Sequence, residues 1–186
     1  SAFVSAYRDR AEYQTDRQSP APAVNKPTEK LHAEYFRSEV VLWDSAIQRW
    51  SSETGLPPDL IAIVMQIESC GYPRARSSAG AIGVFQVMPF HFGSGEDPFD
   101  PEINAKRGLA YLAKGYELSE GQIDRTLAGY NGGHSQIERS PDQWPAETQR
   151  YVHWGIGIWK DIQTGRNPSP TLERWLEAGG ARLCAS

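Results

Sequence analysis

The sequence predicts an all-α protein, and three observations support this prediction. The segment from Leu60 to Ile67 is apolar on nearly every side, which is typical of a helix in the middle of a domain. The segment from Leu31 to Thr54 repeats apolar residues every three or four positions, as an amphipathic helix does. Nothing in the chain calls for strands, apart from a short extended piece predicted at Val84 to Val87.

Composition sets the outer bounds. The 186 residues, 39% hydrophobic with a net charge of -4, suit one globular domain with a tail or appendage. No basic cluster is present, so we expect no nucleic-acid partner. No run of 18 or more apolar residues exists, so we expect no membrane span, and we expect the chain to act as a monomer.

The chain divides into three predicted parts. Residues 1–30, rich in Ser, Pro, Ala and charge, indicate a flexible linker, although a frayed terminus would have the same composition. Residues 31–165 form the predicted helical domain, and residues 166–186 form a helical appendage. Because the chain begins at Ser1 without a methionine, we interpret it as a mature or trimmed form, and the lack of a visible signal peptide carries little information.

Each predicted helix has its own signals. Asp100 is a predicted N-cap with Pro101 at the first helical position, and Asn104 behind it either holds a backbone loop or faces solvent. The apolar stripe of the first helix is assigned to the core, tryptophans included: Phe36, Val40, Trp43, Ile47 and Trp50. Three more helices are predicted: Gln122–Tyr130, Pro145–Gln163 and Thr171–Ala178.

Glu68 stands at the end of the central apolar helix, which Pro57 and Pro58 start and Gly71 ends. A carboxylate is costly to bury, and the C-terminal end of a helix carries partial negative charge. Both effects raise a carboxyl pKa, here toward about 6, which is the profile of a general acid. The alternative is an acid that points at water or pairs with Arg74 or Arg76.

The motifs along the chain resemble one known family, the lytic transglycosylases of the soluble transglycosylase (SLT) type in glycoside hydrolase family 23, relatives of goose-type lysozyme. The resemblance covers about Leu56 to Trp159. It rests on Glu68-Ser69, on S-x-A-G-A-x-G-x-x-Q-x-M-P from Ser77 to Pro89, on Asp100-Pro101 with Asn104, Gly108 and Tyr111-Leu112, on Tyr130-Asn131-Gly132-Gly133, and on Glu147-Thr148 with Tyr151-Val152.

The resemblance implies a lysozyme-like helical fold and a site in which Glu68 is the catalytic acid. From the residues alone, the region after Glu68 could be an ordinary glycine-bearing turn, Tyr130 a core residue beside a helix cap, and Glu147 a favourable acid in a first helical turn. The substrate-binding residues that the resemblance implies are Ser77, Gln86, Met88, Tyr130, Asn131, Glu147 and Tyr151.

The mechanism depends on the number of carboxylates. Most glycosidases flank the scissile bond with two acids, but no Asp or Glu lies between Glu68 and Gln86. The resemblance therefore implies a single-acid cleavage of the β-1,4 bond between N-acetylmuramic acid and N-acetylglucosamine in peptidoglycan. Glu68 protonates the leaving oxygen, then accepts the C6 hydroxyl proton, and a 1,6-anhydro sugar forms. We expect no cofactor and no metal, since the four histidines show no ligand spacing.

Three alternatives stay open. A muramidase of the same fold would use Asp97 or Asp100 as a base for hydrolysis. A wall-binding module would keep the cleft without turnover. A specialised enzyme would open the wall for a secretion or phage machine, with the tail helix as its docking element.

The two cysteines, Cys70 and Cys184, are either two buried free thiols or a disulfide that pins the tail to the central helix. We expect the disulfide, because a cell-wall enzyme works in an oxidising setting outside the cytoplasm. The same reasoning gives an extracytoplasmic location, which could be secreted, periplasmic or anchored to the envelope.

Overall fold

The computed structural model describes residues 29–184, so the predicted linker at residues 1–30 lies almost wholly outside the described residues. Within them the fold is helical, which confirms the predicted class. The α-helices are α1 (Ser38–Val41), α2 (Asp44–Thr54), α3 (Pro58–Ser69), α4 (Pro101–Leu118), α5 (Ile123–Gly132), α6 (Ala146–Gln163), α7 (Pro170–Trp175) and α8 (Ala181–Cys184). Short 3-10 turns lie at Ala33–Tyr35, Pro89–His91, His134–Gln136 and Pro141–Gln143. One turn of π-helix lies at Leu176–Gly180.

Helix α3 is the centre of the domain, as predicted, and all of its residues are buried. Pro58 occupies the first turn, where the missing N–H of a proline costs no intrahelical bond. Cys70 and Gly71 end the helix in the left-handed conformation, with φ of 51° and 80°. Helices α1, α2 and α6 pack against α3.

The prediction of one helix from Leu31 to Thr54 is wrong, because the backbone leaves the helical conformation twice. Phe36 is extended, with φ of -118° and ψ of 161°. The N–H of Arg37 donates to the buried side chain of Gln66 (3.1 Å) instead of continuing a helix. Trp43 interrupts the second stretch just before α2 begins. The predicted stripe is nevertheless buried, except that Trp43 is only partly so.

The segment after α3 folds into a tight loop. Ile82 and Val87 exchange two backbone hydrogen bonds of 3.0 and 2.9 Å, and Arg76 pairs with Ile82 on the other side. The residues between Ile82 and Val87 form a turn, so the predicted extended piece at residues 84–87 is wrong for all but its last residue. Gly83, with φ of 79°, allows the chain to reverse there.

Asn104 fastens this loop to α4, which confirms the first of its two predicted roles. Its Oδ1 accepts a hydrogen bond from the Phe85 N–H (2.9 Å), and its Nδ2 donates to the carbonyls of Ile82 (2.8 Å) and Pro98 (3.0 Å). A Cβ on Gly83 would lie 2.3 Å from this Nδ2, so the close approach requires glycine.

Helix α4 packs against α5, and α5 packs against α6. Asp100 caps α4 as predicted, since its carboxylate accepts two backbone hydrogen bonds from the first turn. Helix α5 continues to Gly132, beyond its predicted end at Tyr130, and Gly133 follows with φ of 91°. Within residues 29–184, every helix is too short or too polar to cross a membrane.

The residues after α6 fold back onto it, and Asp161 holds them there. Its Oδ2 accepts hydrogen bonds from the hydroxyl of Ser169 (2.7 Å) and the N–H of Thr171 (2.9 Å). Leu172 and Trp175 are buried in the same hydrophobic core as α3. The predicted last helix, Thr171–Ala178, corresponds to α7 and the start of the π-helical turn. Helix α8 lies beyond its predicted end, after Gly179 leaves the helical conformation with φ of 120°.

A disulfide joins Cys70, at the end of α3, to Cys184, at the end of α8, across 114 residues of sequence. The buried Gln66 side chain lies against both sulfurs, 3.1 Å from Cys70 Sγ and 3.6 Å from Cys184 Sγ. The C-terminal residues are therefore tied to the helix that carries Glu68.

Candidate active site

Glu68 lies where the buried helix α3 meets the loop that follows it. Its side chain is 4% exposed. Burial, the largest cause, raises the pKa of Glu68 from 4.5 to about 8, although the Tyr151 hydroxyl lowers it as a donor and the charge of Glu147 raises it further. The carboxyl is therefore mostly protonated at pH 7 and has a proton to give.

Neither arginine offered by the sequence as a partner pairs with Glu68. The guanidinium groups of Arg74 and Arg76 instead lie over the ring of Phe99, 5.1 and 5.5 Å from its centroid. Among the ion pairs found in residues 29–184, none includes Glu68. With no cation beside it, the carboxyl keeps its proton.

Tyr151 reaches the acid from α6. It is buried, and burial followed by the charge of Glu68 raises the pKa of Tyr151 well above 10, so its hydroxyl stays protonated. The hydroxyl is close enough to lower the pKa of Glu68, yet its oxygen has no partner of standard hydrogen-bond geometry in the described chain. Tyr151 is thus near the carboxyl without being locked to it.

Glu147 lies one helical turn before Tyr151, and these residues share a face of α6. Its Oε1 is buried without a hydrogen-bond partner among residues 29–184, and its charge raises the pKa of Glu68. The alternative bases serve the local backbone instead. Asp100 caps α4, and Asp97 Oδ1 accepts a hydrogen bond from the N–H of Phe99 (2.9 Å).

The end of α5 brings Tyr130 and Asn131 to the same region. The Tyr130 hydroxyl donates a hydrogen bond to the carbonyl of Phe85 (2.7 Å). Burial, then the charge of Glu68, raises the pKa of Tyr130 well above 10. Asn131 is buried, and its Oδ1 has no partner within the described part of the chain. Tyr130 therefore braces the loop, while Asn131 offers an open acceptor.

The other predicted substrate contacts lie in the loop after Glu68. Ser77 Oγ accepts a hydrogen bond from the N–H of Ala81 (2.9 Å). Gln86 has φ of 50°, and its Nε2 donates to two loop carbonyls (2.9 and 3.3 Å), which leaves the amide oxygen for a ligand. Met88 is buried. Ser77 and Gln86 thus stabilise the loop whatever else they contact.

Sequence reasoning missed two buried polar residues, Gln136 and Thr148. Gln136 Oε1 and Thr148 Oγ1 have no hydrogen-bond partner within residues 29–184. A Cβ on Gly132 would lie 2.7 Å from both side chains, so they meet on α5 next to Asn131. Thr148 follows Glu147 within a quoted motif, which was a signal, whereas nothing in the sequence marks Gln136. Unpaired buried polar atoms are costly, so these two groups and Asn131 beside them are available to a polar ligand.

The chemistry available here is that of one neutral carboxyl beside protonated hydroxyls. Such a group can protonate a leaving oxygen and then act as a base. In the described chain, no three His, Cys, Asp or Glu side chains converge as a metal ion would require.

The chain is similar in sequence to known transglycosylases. The chain is 34% identical over 116 residues to a transglycosylase of Enterobacteria phage PRD1, which covers 61% of this chain and 42% of that one. It is 33% identical over 151 residues to membrane-bound lytic murein transglycosylase C of Edwardsiella ictaluri, which covers 70% and 42%. The chain thus spans less than half the length of either relative.

The fold also has a counterpart among solved structures. An X-ray structure of an inactive mutant of the lytic transglycosylase Slt from Pseudomonas aeruginosa matches with a TM-score of 0.54 and 22% identity, over 68% of this chain and 25% of that one. The family model for the transglycosylase SLT domain matches residues 45–151, which include Glu68, Tyr130 and Tyr151. Because this match covers more than half of the chain, the protein belongs to the SLT transglycosylase family.

Proposed function

We propose that the protein is a peptidoglycan lytic transglycosylase that acts outside the cytoplasm and cleaves the β-1,4 bond between N-acetylmuramic acid and N-acetylglucosamine. The single observation that carries this proposal is the carboxyl of Glu68, which is buried, unpaired with any cation and held neutral by a pKa of about 8. A general acid has to be protonated when substrate arrives, and this group is.

In the proposed reaction, Glu68 gives its proton to the glycosidic oxygen as the bond from that oxygen to C1 breaks. The acetamido carbonyl oxygen of the same sugar bonds to C1 and stabilises the positive charge. The ionised Glu68 then removes the proton of the C6 hydroxyl, whose oxygen displaces the acetamido group from C1. The product carries a 1,6-anhydro ring, and Glu68 is again protonated.

We assign supporting roles to the groups around the acid. The Tyr151 hydroxyl turns to Glu68 and stabilises the ionised carboxylate, since it already lowers the pKa of Glu68. Asn131 Oδ1, which is buried without a partner in the described chain, accepts the acetamido N–H. Gln86 and Ser77 present the loop to the sugar, and Glu147 faces the peptide side of the cleft. These roles require no cofactor.

A hydrolase of the same fold is the second candidate, and Glu147 is the observation in its favour. Its charge reaches Glu68, so the site contains a second carboxylate of the kind that a muramidase would use as a base. The names of the relatives favour the transglycosylase.

The deciding experiment is a digest of purified peptidoglycan followed by mass analysis of the released fragments. Anhydro ends are lighter than reducing ends by one water and support the transglycosylase. Reducing ends would assign the hydrolase. Release by neither the protein nor a longer form of it, at any pH from 5 to 9, would leave a wall-binding module and refute the proposed function. Glu68→Gln protein is the control for contaminating activity.

A further inference from the structure

A series of aromatic rings leads from the acid to the surface. Tyr130, whose pKa responds to the charge of Glu68, lies 6.0 Å from the ring of Tyr111. Tyr111 lies 5.6 Å from His91, and His91 lies 4.4 Å from Phe90, all between ring centroids. Phe90 reaches the surface, where it is 37% exposed. We call Phe90, His91 and Tyr111 the aromatic track.

Stacking and local hydrogen bonds hold the aromatic track in place. Tyr111 is mostly buried and stacks on His134, with ring centroids 4.0 Å apart and planes 12° apart. Phe90 and His91 lie in the 3-10 turn Pro89–His91, so their backbone is fixed by local hydrogen bonds. The rings are therefore ordered before any ligand arrives, which lowers the entropy cost of binding.

A bidentate ion pair fixes the loop that follows the track. Glu96 accepts two hydrogen bonds from the Arg107 guanidinium of α4, at 2.9 and 2.7 Å, and a third from the N–H of Gly93 at 2.8 Å. Paired guanidinium and carboxylate groups have a defined geometry. The loop after the track is therefore held against α4.

The geometry points to Phe90 and His91, backed by Tyr111, as a stacking platform for a sugar ring of the glycan strand, on one side of the scissile bond. This inference rests on the proposed function, which makes a glycan strand the ligand. The faces of a pyranose ring carry C–H groups and its edges carry hydroxyls, so a sugar can bury one face on an aromatic ring while its edges stay in water. Flat aromatic side chains supply such area at low entropy cost.

The chain offers a matched control in Tyr72. It is exposed to nearly the same extent as Phe90, at 38%. It lies elsewhere, however, beside the disulfide, where it lines a pocket with Leu42, Trp43 and Cys184. The contrast between the two positions therefore separates a platform on the track from aromatic stickiness in general.

The test measures binding of a soluble, peptide-free oligosaccharide of alternating N-acetylglucosamine and N-acetylmuramic acid, by calorimetry, in Glu68→Gln protein so that nothing is cleaved. Adding Phe90→Ala should weaken binding about tenfold, and Phe90→Leu should weaken it nearly as much, because an apolar side chain without a flat ring loses the stacking. The Phe90→Trp protein should bind as tightly as the Glu68→Gln parent, and Tyr72→Ala should leave binding unchanged.

Two results would overturn the platform: binding by the Phe90→Ala and Phe90→Leu proteins as tight as that of the parent, or an equal loss in the Tyr72→Ala protein. Phe90→Leu keeps the inference testable if the alanine variant folds poorly. In the cleaving protein, Phe90→Leu should raise KM and change kcat little. Glycan binding that depends on Phe90 in a protein that releases no fragments would keep the platform and refute the proposed activity.

Discussion

Two carboxyl groups in this molecule are almost equally shielded from solvent, yet their pKa values are shifted in opposite directions. Glu68 is 4% exposed and Asp161 is 3% exposed. The pKa of Glu68 is raised to about 8, whereas the pKa of Asp161 is lowered from 3.8. Burial opposes ionisation at both positions and is the largest influence on each, but it prevails at Glu68 and is outweighed by the partners at Asp161.

Asp161 has the partners that Glu68 lacks. Burial raises the pKa of Asp161, but hydrogen bonds from Ser169 and Thr171 and the charge of Arg166 outweigh it. These groups all stabilise the ionised form, and Asp161 serves as an anchor for the C-terminal residues. Glu68 has the hydroxyl of Tyr151 beside it, and the negative charge of Glu147 near by opposes its ionisation. A buried acid becomes a proton donor when its neighbours leave the ionised form without enough hydrogen bonds or positive charge to offset burial.

The largest expected effect tests the acid. Glu68→Gln removes the proton that the reaction needs, so release of peptidoglycan fragments should fall by about 10²-fold to 10⁴-fold while oligosaccharide binding persists. Mass-quantified digests and calorimetry measure the two. An active glutamine variant would show that the acid lies elsewhere.

The same variant should be more stable than the parent. Because the pKa of Glu68 is higher in the folded state, about 8, than its ordinary 4.5, the folded protein binds more protons between these values. Stability therefore falls as pH rises through this window, and Glu68→Gln should relieve about 3 kcal/mol at pH 7, less near pH 5. Urea unfolding at both pH values measures this gain.

Asp161→Asn should destabilise the protein, by less than Glu68→Gln stabilises it. An asparagine leaves the donors of Ser169 and Thr171 with a weaker acceptor, so the free energy of unfolding should drop by about 2 to 3 kcal/mol at pH 7. The loss should shrink as pH falls through the lowered pKa of Asp161, because the parent then protonates too. Activity per folded molecule should stay at the parental level. A variant as stable as the parent would remove the contrast between the two acids.

The smallest expected effects are shifts in the pH at which activity declines. Activity requires protonated Glu68, so kcat/KM should decline as pH rises through about 8. Glu147→Gln removes a charge that raises the pKa, and the decline should move to lower pH by less than about one unit. Tyr151→Phe removes a donor that lowers the pKa, and the decline should move to higher pH.

These opposite shifts also separate the two candidate functions. If Glu147 were the base of a hydrolase, Glu147→Gln would abolish turnover at every pH instead of moving the profile. Parallel pH profiles of the parent and both variants, with fragment masses at each pH, measure the difference.

The sequence could predict the features that are local. Pro58 and the apolar run gave the position of α3, Asp100 gave the start of α4, and Glu68 at the end of a buried helix indicated a raised pKa. The predicted value near 6 was lower than the structure indicates, because the depth of burial, which is the largest cause, and the approach of Glu147 both depend on how α6 packs against α3. That packing joins residues about 80 positions apart in the chain.

The errors came from long-range contacts as well. The helix from Leu31 to Thr54 fails where Gln66, from another helix, takes the N–H of Arg37. The extended piece at residues 84–87 fails because Asn104 captures the N–H of Phe85 and holds a turn. Gln136 meets Thr148 at Gly132, a long-range contact for which no sequence pattern exists. Periodicity reports which face of an element is apolar, and it cannot report which distant side chain will interrupt it.

The bond between Cys70 and Cys184 restricts where the molecule can be shortened. The family match ends at residue 151, yet a polypeptide trimmed there would lose the Asp161 anchor and leave an unpaired thiol two positions from Glu68. That thiol would be open to oxidation and to mispairing between molecules. The smallest autonomous unit for engineering therefore extends through Cys184, well past the boundary that family resemblance alone would suggest.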